Sequence, residues 1–417
     1  MTGSGGSGLS YAAGKEIFMH SLNLPVCASP DGLATEAWVF VRVIDNFGDV
    51  GVGWRLSCLL ADYLCLRVRL WIDDVDALDR LVPERAGYQA QIMVEVWQDE
   101  AVVQRQLADA ADPVLVIETF GCDLPPAVLA RMTECRPLWL NWEYLTAEDW
   151  AVDLHAMPSL QANGLEKYFW FMGIDAASGG LLREADYVAE RAAFLQQPLL
   201  QQAFRQQYGL PLQHSGQLWL VFAYASVCWS QWMAMWQQAD TPITLWLAGG
   251  QVIDSLRAQQ AIPPDALQQD GDVWVVGKMT LVRIPFVPQV AFDRLLWLAD
   301  AAIVRGEDSF VRALWAGLPF FWHIYRQDDD AHLHKLHAFW NKATAGWPAG
   351  LQAAFMLLAD DLNGAGSLDG LRRVAAWQEL CADWQSWVKA AAAWSEMLHA
   401  QDGALEKLAR FCHLPLK

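Results

Sequence analysis

At 417 residues the chain is too long for one ordinary core, and a soft prior of roughly 150 residues per domain predicts two or three domains. Its 54% hydrophobic content allows well-packed cores, yet the longest apolar runs, such as QLWLVFAYA at 217–225, stop well short of the ~20 residues a spanning helix needs, which argues against a membrane protein. A formal net charge of −19 repels phosphate backbones and argues against nonspecific nucleic-acid binding; an anionic ligand must be held locally, while a cationic group is attracted.

Residues 1–35, beginning MTGSGGSGLSYAAGK, lack the charged segment and apolar core of a signal peptide. Their Gly/Ser run resembles a tag linker, and they are set aside as an extension. From residue 38 short β-rich runs alternate with helical stretches. WVFVRVI (38–44) predicts a strand, WRLSCLLADYL (54–64) a helix and LRVRLWI (66–72) the next strand; IMVEVW, PVLVIETF and PLWLNW continue the alternation. A Gln-rich stretch at 194–217 predicts a domain connection. Beyond it the pattern resumes with strands at 218–224, 243–248, 273–276, 281–286, 301–304 and 319–325, and with helices at 289–300 and 309–317, the latter stopped by Gly317 and Pro319. From AAFMLLADDLNG onward the chain reads as helices. The class is therefore α/β, with two doubly wound, largely parallel sheets in tandem and a ligand site in the cleft between them, at strand carboxyl ends. Eight cysteines without a C-x-x-C pair argue against a zinc ribbon and a disulfide framework, and a reducing cytoplasm fits best.

Four segments carry candidate chemistry. DNFGDVGVGWRL (45–56) follows a predicted strand, but its glycines do not have the dinucleotide-binding order, and Asp49 would stand where a pyrophosphate must approach. It reads either as a tight turn with capping aspartates, Asp45 and Asp49, or as a strand-end loop that presents a carboxylate as base or cation holder. RGEDSFVRALWAG (305–317) places Asp308 or Ser309 as N-cap of a helix whose unpaired N–H groups form an anion site, beside the guanidinium fork of Arg305. IPFVPQ offers Phe286 and Gln289, an aromatic face and an amide suited to a nucleobase, although for this segment alone a loop aromatic packed into the core is the commoner arrangement. In RQDDDAHLHKLHAFW the spacing of His332, His334 and His337 is poor for one tetrahedral metal site, so no metal is expected. Nothing supports a nucleophilic triad.

The stretches VIDNFGDVGVGWRL, LWLNWEYLTAEDW, EKYFWFMGI with GGLLRE, IPFVPQ and VRGEDSFVRALWAGLPFFWHIY together resemble the protein-arginine rhamnosyltransferases that modify translation elongation factor P, the EarP family, over roughly residues 38–415. The resemblance implies a GT-B architecture: an N-terminal acceptor-binding domain over 36–190, completed by a C-terminal helix at about 395–417, and a nucleotide-sugar-binding domain over 191–394. It further implies metal-free, inverting transfer of L-rhamnose from dTDP-β-L-rhamnose to a guanidino nitrogen of one loop arginine of elongation factor P, activating that factor to relieve ribosome stalling at polyproline. By resemblance the catalytic residues are Asp49, Glu307 and Asp45. The nucleotide-sugar contacts implied are Tyr224, Phe286, Gln289, Arg305, Asp308, Ser309 and Tyr325, with Asn46, Phe47 and Gly48 beside them; Tyr224 lies in FAYASVCW, which departs from the family's usual loop. A nucleotide-sugar transferase with a small-molecule acceptor, or a binding protein that recognises a basic loop without turnover, are the competing readings.

Overall fold

The computed structural model describes residues 35–44, 47–366 and 368–412; the N-terminal extension and the site candidates Asp45 and Asn46 lie outside the described residues. The N-terminal sheet comprises β1 (Glu36–Val41), β2 (Arg67–Ile72), β3 (Ile92–Val96), β4 (Pro113–Thr119), β5 (Leu138–Glu143), β6 (Pro158–Leu160) and β7 (Glu166–Phe171). Its order is β3-β2-β1-β4-β5-β7-β6, parallel except for the short edge strand β6. The C-terminal sheet comprises β8 (Gln217–Phe222), β9 (Ile243–Ala248), β10 (Val273–Val276), β11 (Met279–Arg283), β12 (Ala301–Arg305) and β13 (Phe320–His323), ordered β10-β11-β9-β8-β12-β13 with only β10 antiparallel. Each sheet reverses its winding once, between β1 and β4 and between β8 and β12, which opens a crevice at the strand carboxyl ends there.

Both faces of the N-terminal sheet are covered, so its strands are apolar throughout. In β1, Ala37, Val39 and Val41 join the larger core while Trp38 and Phe40 point to the opposite face, against Trp71 and Trp97. The C-terminal core is built on tryptophan: Trp219 on β8 meets Trp236, Trp377 and Trp387. Among the described residues no helix is long and apolar enough to cross a membrane, and the seven described cysteines are free thiols.

The structure departs from expectation in three places. The first helix begins at Phe47, not near Trp54, so Asp49, Gly51 and Gly53 lie inside its opening turns. A Cβ on Gly53 would stand 2.3 Å from Val41 Cγ2, so the glycine lets this helix lie directly on β1 despite glycine's poor helix propensity. The Gln-rich stretch is not a bare connection but is largely helical: helices Tyr187–Gln196 and Pro198–Gln207 cover its first part and bury Phe194 and Phe204. Phe194 packs on Trp297, and position 190 falls within the first of these helices. Strand β7 was legible only as a motif, EKYFWF. The last helix, Ala404–Cys412, returns to the N-terminal sheet, where Phe411 meets Tyr168 and Trp170 and the Lys407 ammonium donates to the carbonyls of Ala176 and Ser178.

Candidate active site

Two strand-to-helix junctions face each other across the cleft. One is the end of β1 with the Phe47–Leu64 helix; the other is the end of β12 with the Asp308–Ala316 helix. Gln289, the first residue of the Gln289–Leu298 helix, bridges them: its Nε2 donates to the Gly51 carbonyl at 2.9 Å and to Asp308 Oδ2 at 2.9 Å. A Cβ at Gly51 would come within 3.1 Å of that amide nitrogen, so a bare backbone is what admits the contact.

Two chambers open beside this contact. The first is lined by Phe47, Tyr224, Phe286, Arg305 and Ser309, together with Gln289 and Asp308. Phe286 is 49% exposed and leans on Phe47 from the other domain, with ring centroids 5.5 Å apart. The Arg305 guanidinium lies over the Phe222 ring at 4.5 Å and the Tyr224 ring at 4.9 Å, which fixes the plane of its fork. Gly306 turns the chain with φ of 63°, and the helix begins at Asp308 with no side-chain cap. The expected cap by Asp308 or Ser309 is therefore corrected: Glu307 holds the cap position, and Ser309 Oγ donates back to the Arg305 carbonyl. An uncapped helix start next to an oriented guanidinium suits an anion such as a diphosphate.

The second chamber is lined by Asp49, Phe120, Tyr144, Tyr325 and Lys335, and it shares Gly48 and Glu307 with the first. Tyr325 packs edge-on to Tyr224 at 5.7 Å, so the two tyrosines stand where the chambers adjoin. Asp49 is 3% exposed and accepts from the Ile44 N–H at 2.8 Å, which pins the strand end to the helix start. Glu307 is held from both domains: Lys335 Nζ is 2.5 Å from Oε1, and the Leu145 N–H donates to Oε2 at 2.9 Å.

Sequence reasoning missed the charges beneath these chambers. Arg55, from the N-terminal domain, grips Glu184 with two hydrogen bonds of 2.7 and 2.6 Å and reaches Asp308 at 3.0 Å. Arg312 binds the other oxygen of Asp308 at 2.8 Å and Asp293 at 2.5 Å. Burial alone would raise the pKa of Asp308, but Arg312 and Arg55 override it and hold the carboxyl at about 2. Asp293 goes the other way, pushed up to about 6 by burial against the pull of Arg312. Its Oδ1 has no hydrogen-bond partner among the described residues. Both oxygens of Asp308 are thus occupied by the domain junction. The signal for this network was a lone arginine inside each of two apolar helices, WRLSCLLADYL and SFVRALWAG. Nearby, burial and then the Glu118 carboxylate raise the pKa of Glu143.

His337 Nε2 lies 2.6 Å from Asp360, and His332 Nδ1 accepts from the Gln327 N–H. Among the described residues no three histidine, cysteine or acidic side chains are placed to hold a metal ion.

Two Rossmann-like sheets whose switch points face one cleft, with an anion-ready helix start on one side and carboxylates on the other, define a glycosyltransferase of GT-B architecture. A solved glycosyltransferase of kitacinnamycin shares this fold at a TM-score of 0.52 and 11% identity, over 91% of this chain and 98% of its own. The chain belongs to the family described as Elongation-Factor P (EF-P) rhamnosyltransferase EarP, which matches residues 38–413. It is 49% identical to the protein-arginine rhamnosyltransferase of Neisseria meningitidis serogroup B (strain H44/76), over 90% of this chain and 96% of that protein. To its counterpart in Pseudomonas aeruginosa PAO1 it is 38% identical, over 89% and 97%. A solved structure described as the basis for EarP-mediated arginine glycosylation of translation elongation factor EF-P matches at a TM-score of 0.63 and 28% identity, covering 90% of this chain and 98% of its own. The chain is a protein-arginine rhamnosyltransferase by family.

Proposed function

We propose that this chain transfers L-rhamnose from dTDP-β-L-rhamnose, with inversion, to a guanidino nitrogen of a loop arginine of elongation factor P. The observation that carries the reading is the meeting of two chambers at Glu307 and Gly48, one furnished for a nucleotide diphosphate and the other for a cation. In the first, Phe286 offers a face to the thymine, and Gln289 stands beside it. The start of the Asp308–Ala316 helix, Ser309 and Arg305 receive the diphosphate, with Tyr224 and Tyr325 toward the sugar. The proposed division into an acceptor-binding domain over 36–190 with the C-terminal helix, and a nucleotide-sugar-binding domain over 191–394, is supported by the two separate sheets and by the packing of Phe411 on Trp170.

An arginine side chain is a cation with a pKa above about 12, so its nitrogen becomes nucleophilic only as it surrenders a proton. Asp49 takes that proton while the nitrogen attacks C1 of the rhamnose, and the bond from C1 to the β-phosphate oxygen breaks with its electron pair leaving on dTDP. Asp45 orients Asp49 or locks its loop. Glu307 orients the sugar or the acceptor, because a carboxylate facing a phosphate would repel it. The charge that develops on the β-phosphate meets the helix N–H groups and Arg305. Among the described residues no helix is long and apolar enough to cross a membrane, and a net charge of −19 fits a basic loop better than a nucleic acid; the reading places the enzyme with its acceptor in the cytoplasm.

Intact-mass analysis of elongation factor P after incubation with enzyme and dTDP-rhamnose tests the reading. One added deoxyhexose on an arginine is expected. An unmodified factor, with the sugar delivered to a small molecule instead, overturns it.

A further inference from the structure

The second chamber has a wall that no role yet accounts for. At the end of β4, Phe120 is held with φ of 57°, a left-handed backbone that a bulky residue adopts only under strain, and Gly121 continues the turn at 63°. The turn is locked from the neighbouring strand. Phe120 N–H donates to the Trp142 carbonyl at 2.8 Å, and Gly121 N–H donates to Oδ1 of the buried Asn141 at 2.9 Å. The result is a ring laid flat on Tyr144, with centroids 4.1 Å apart and planes 8° from parallel. Tyr144 keeps 37% of its surface exposed, and the pair lines the same chamber as Asp49 and Glu307. The Lys335 ammonium already stands 5.6 Å from the Tyr144 centroid, at the outer range of a cation–π contact.

We propose that the Phe120–Tyr144 stack is the subsite for the acceptor guanidinium, which lies flat on Tyr144 in the chamber it shares with Asp49 and Glu307. The inference rests on the transfer to arginine proposed above. A guanidinium is planar, weakly hydrated and delocalised, so it stacks on an aromatic face and still directs its N–H groups sideways to carboxylates. A ring face does not compete for those hydrogens, and it holds the plane through which the attacking nitrogen's lone pair must emerge. Phe120 supports Tyr144 from behind; its strained backbone is the cost of placing that support.

A double-mutant cycle tests this with intact enzyme and intact elongation factor P. The affinity of Tyr144→Ala, Tyr144→Phe and Phe120→Gly enzymes is measured for the wild-type factor and for a factor carrying alanine at the modified arginine. Tyr144→Ala is expected to weaken the wild-type factor about tenfold and to leave the alanine factor's affinity unchanged. Tyr144→Phe should stay within about twofold of wild type, since only the ring is required. Phe120→Gly relieves the strained backbone, so it folds, and should weaken the wild-type factor in the same direction. Equal weakening of both factors by Tyr144→Ala, a Tyr144→Phe as damaged as Tyr144→Ala, or a loss that falls on dTDP-rhamnose affinity instead would each overturn the subsite. A wild-type enzyme that modifies no arginine would sink the broader reading first and separately.

Discussion

At the scale of single residues, the division of labour across the cleft sets distinct expectations for each side. Asp49→Asn keeps the shape of the side chain and its bond from Ile44 but removes the proton acceptor. Single-turnover transfer should fall at least about a hundredfold with calorimetric dTDP-rhamnose affinity intact; near-normal turnover would refute the base assignment. Ser309→Ala sits in the other chamber and should instead weaken nucleotide-sugar binding, read by the same calorimetry, with unchanged affinity counting against a phosphate there. Sequence carried much of this scale. Phe286, Gln289, Arg305 and Ser309 do share a chamber, and Asp49 and Glu307 do meet in the next. What it could not carry was the use made of each atom: Asp308, which lines the first chamber, also joins two arginines, and Glu307 is tied to Lys335 and Leu145.

At the scale of elements, the glycines at 51 and 53 were misread because local propensity and tertiary packing disagree there. Glycine is a poor helix former, so a turn was the natural expectation; the gain lies in bringing the helix onto Val41 and against Gln289, which only the folded chain reveals. Gly53→Ala should therefore destabilise by about 1–3 kcal/mol in urea unfolding, although alanine favours helices, and a stabilised variant would show that the close packing has been misjudged. The strands, by contrast, were legible because both faces are buried and their β-branched and aromatic runs have one reading. The Asp308–Ala316 helix and its neighbour Gln289–Leu298 also share a pH signature through Asp293. Its raised folded-state pKa means that it contributes stability at pH below about 4 and loses it as pH rises through about 6. The Asp308 contribution has the opposite sign and a separate window, present above about 4 and lost as pH falls toward about 2. Asp293→Asn should flatten the stability profile between about pH 4 and 6 relative to wild type, and an unchanged slope there would refute the shift.

At the scale of the whole molecule, two domains are joined by a buried network as well as by chain. Arg55 lies 129 residues from Glu184 and 253 from Asp308, so no local pattern could have paired them. Arg55→Met would leave two carboxylates without their shared cation, and a loss of about 3–5 kcal/mol is expected, the range for breaking a buried pair from one side. Small-angle scattering should show a wider distribution of domain separations at the same time. Wild-type stability and dimensions would mean that the junction is held by the apolar contacts alone.

The two partners of Glu307 come from opposite domains, the Leu145 N–H from one and Lys335 from the other. Parting the domains strips that carboxylate of one partner and separates it from Asp49 in the same movement. On the mechanism proposed above, the reacting groups are therefore complete only where the two domains meet, and a molecule with its domains apart would lack them for water as well as for the acceptor.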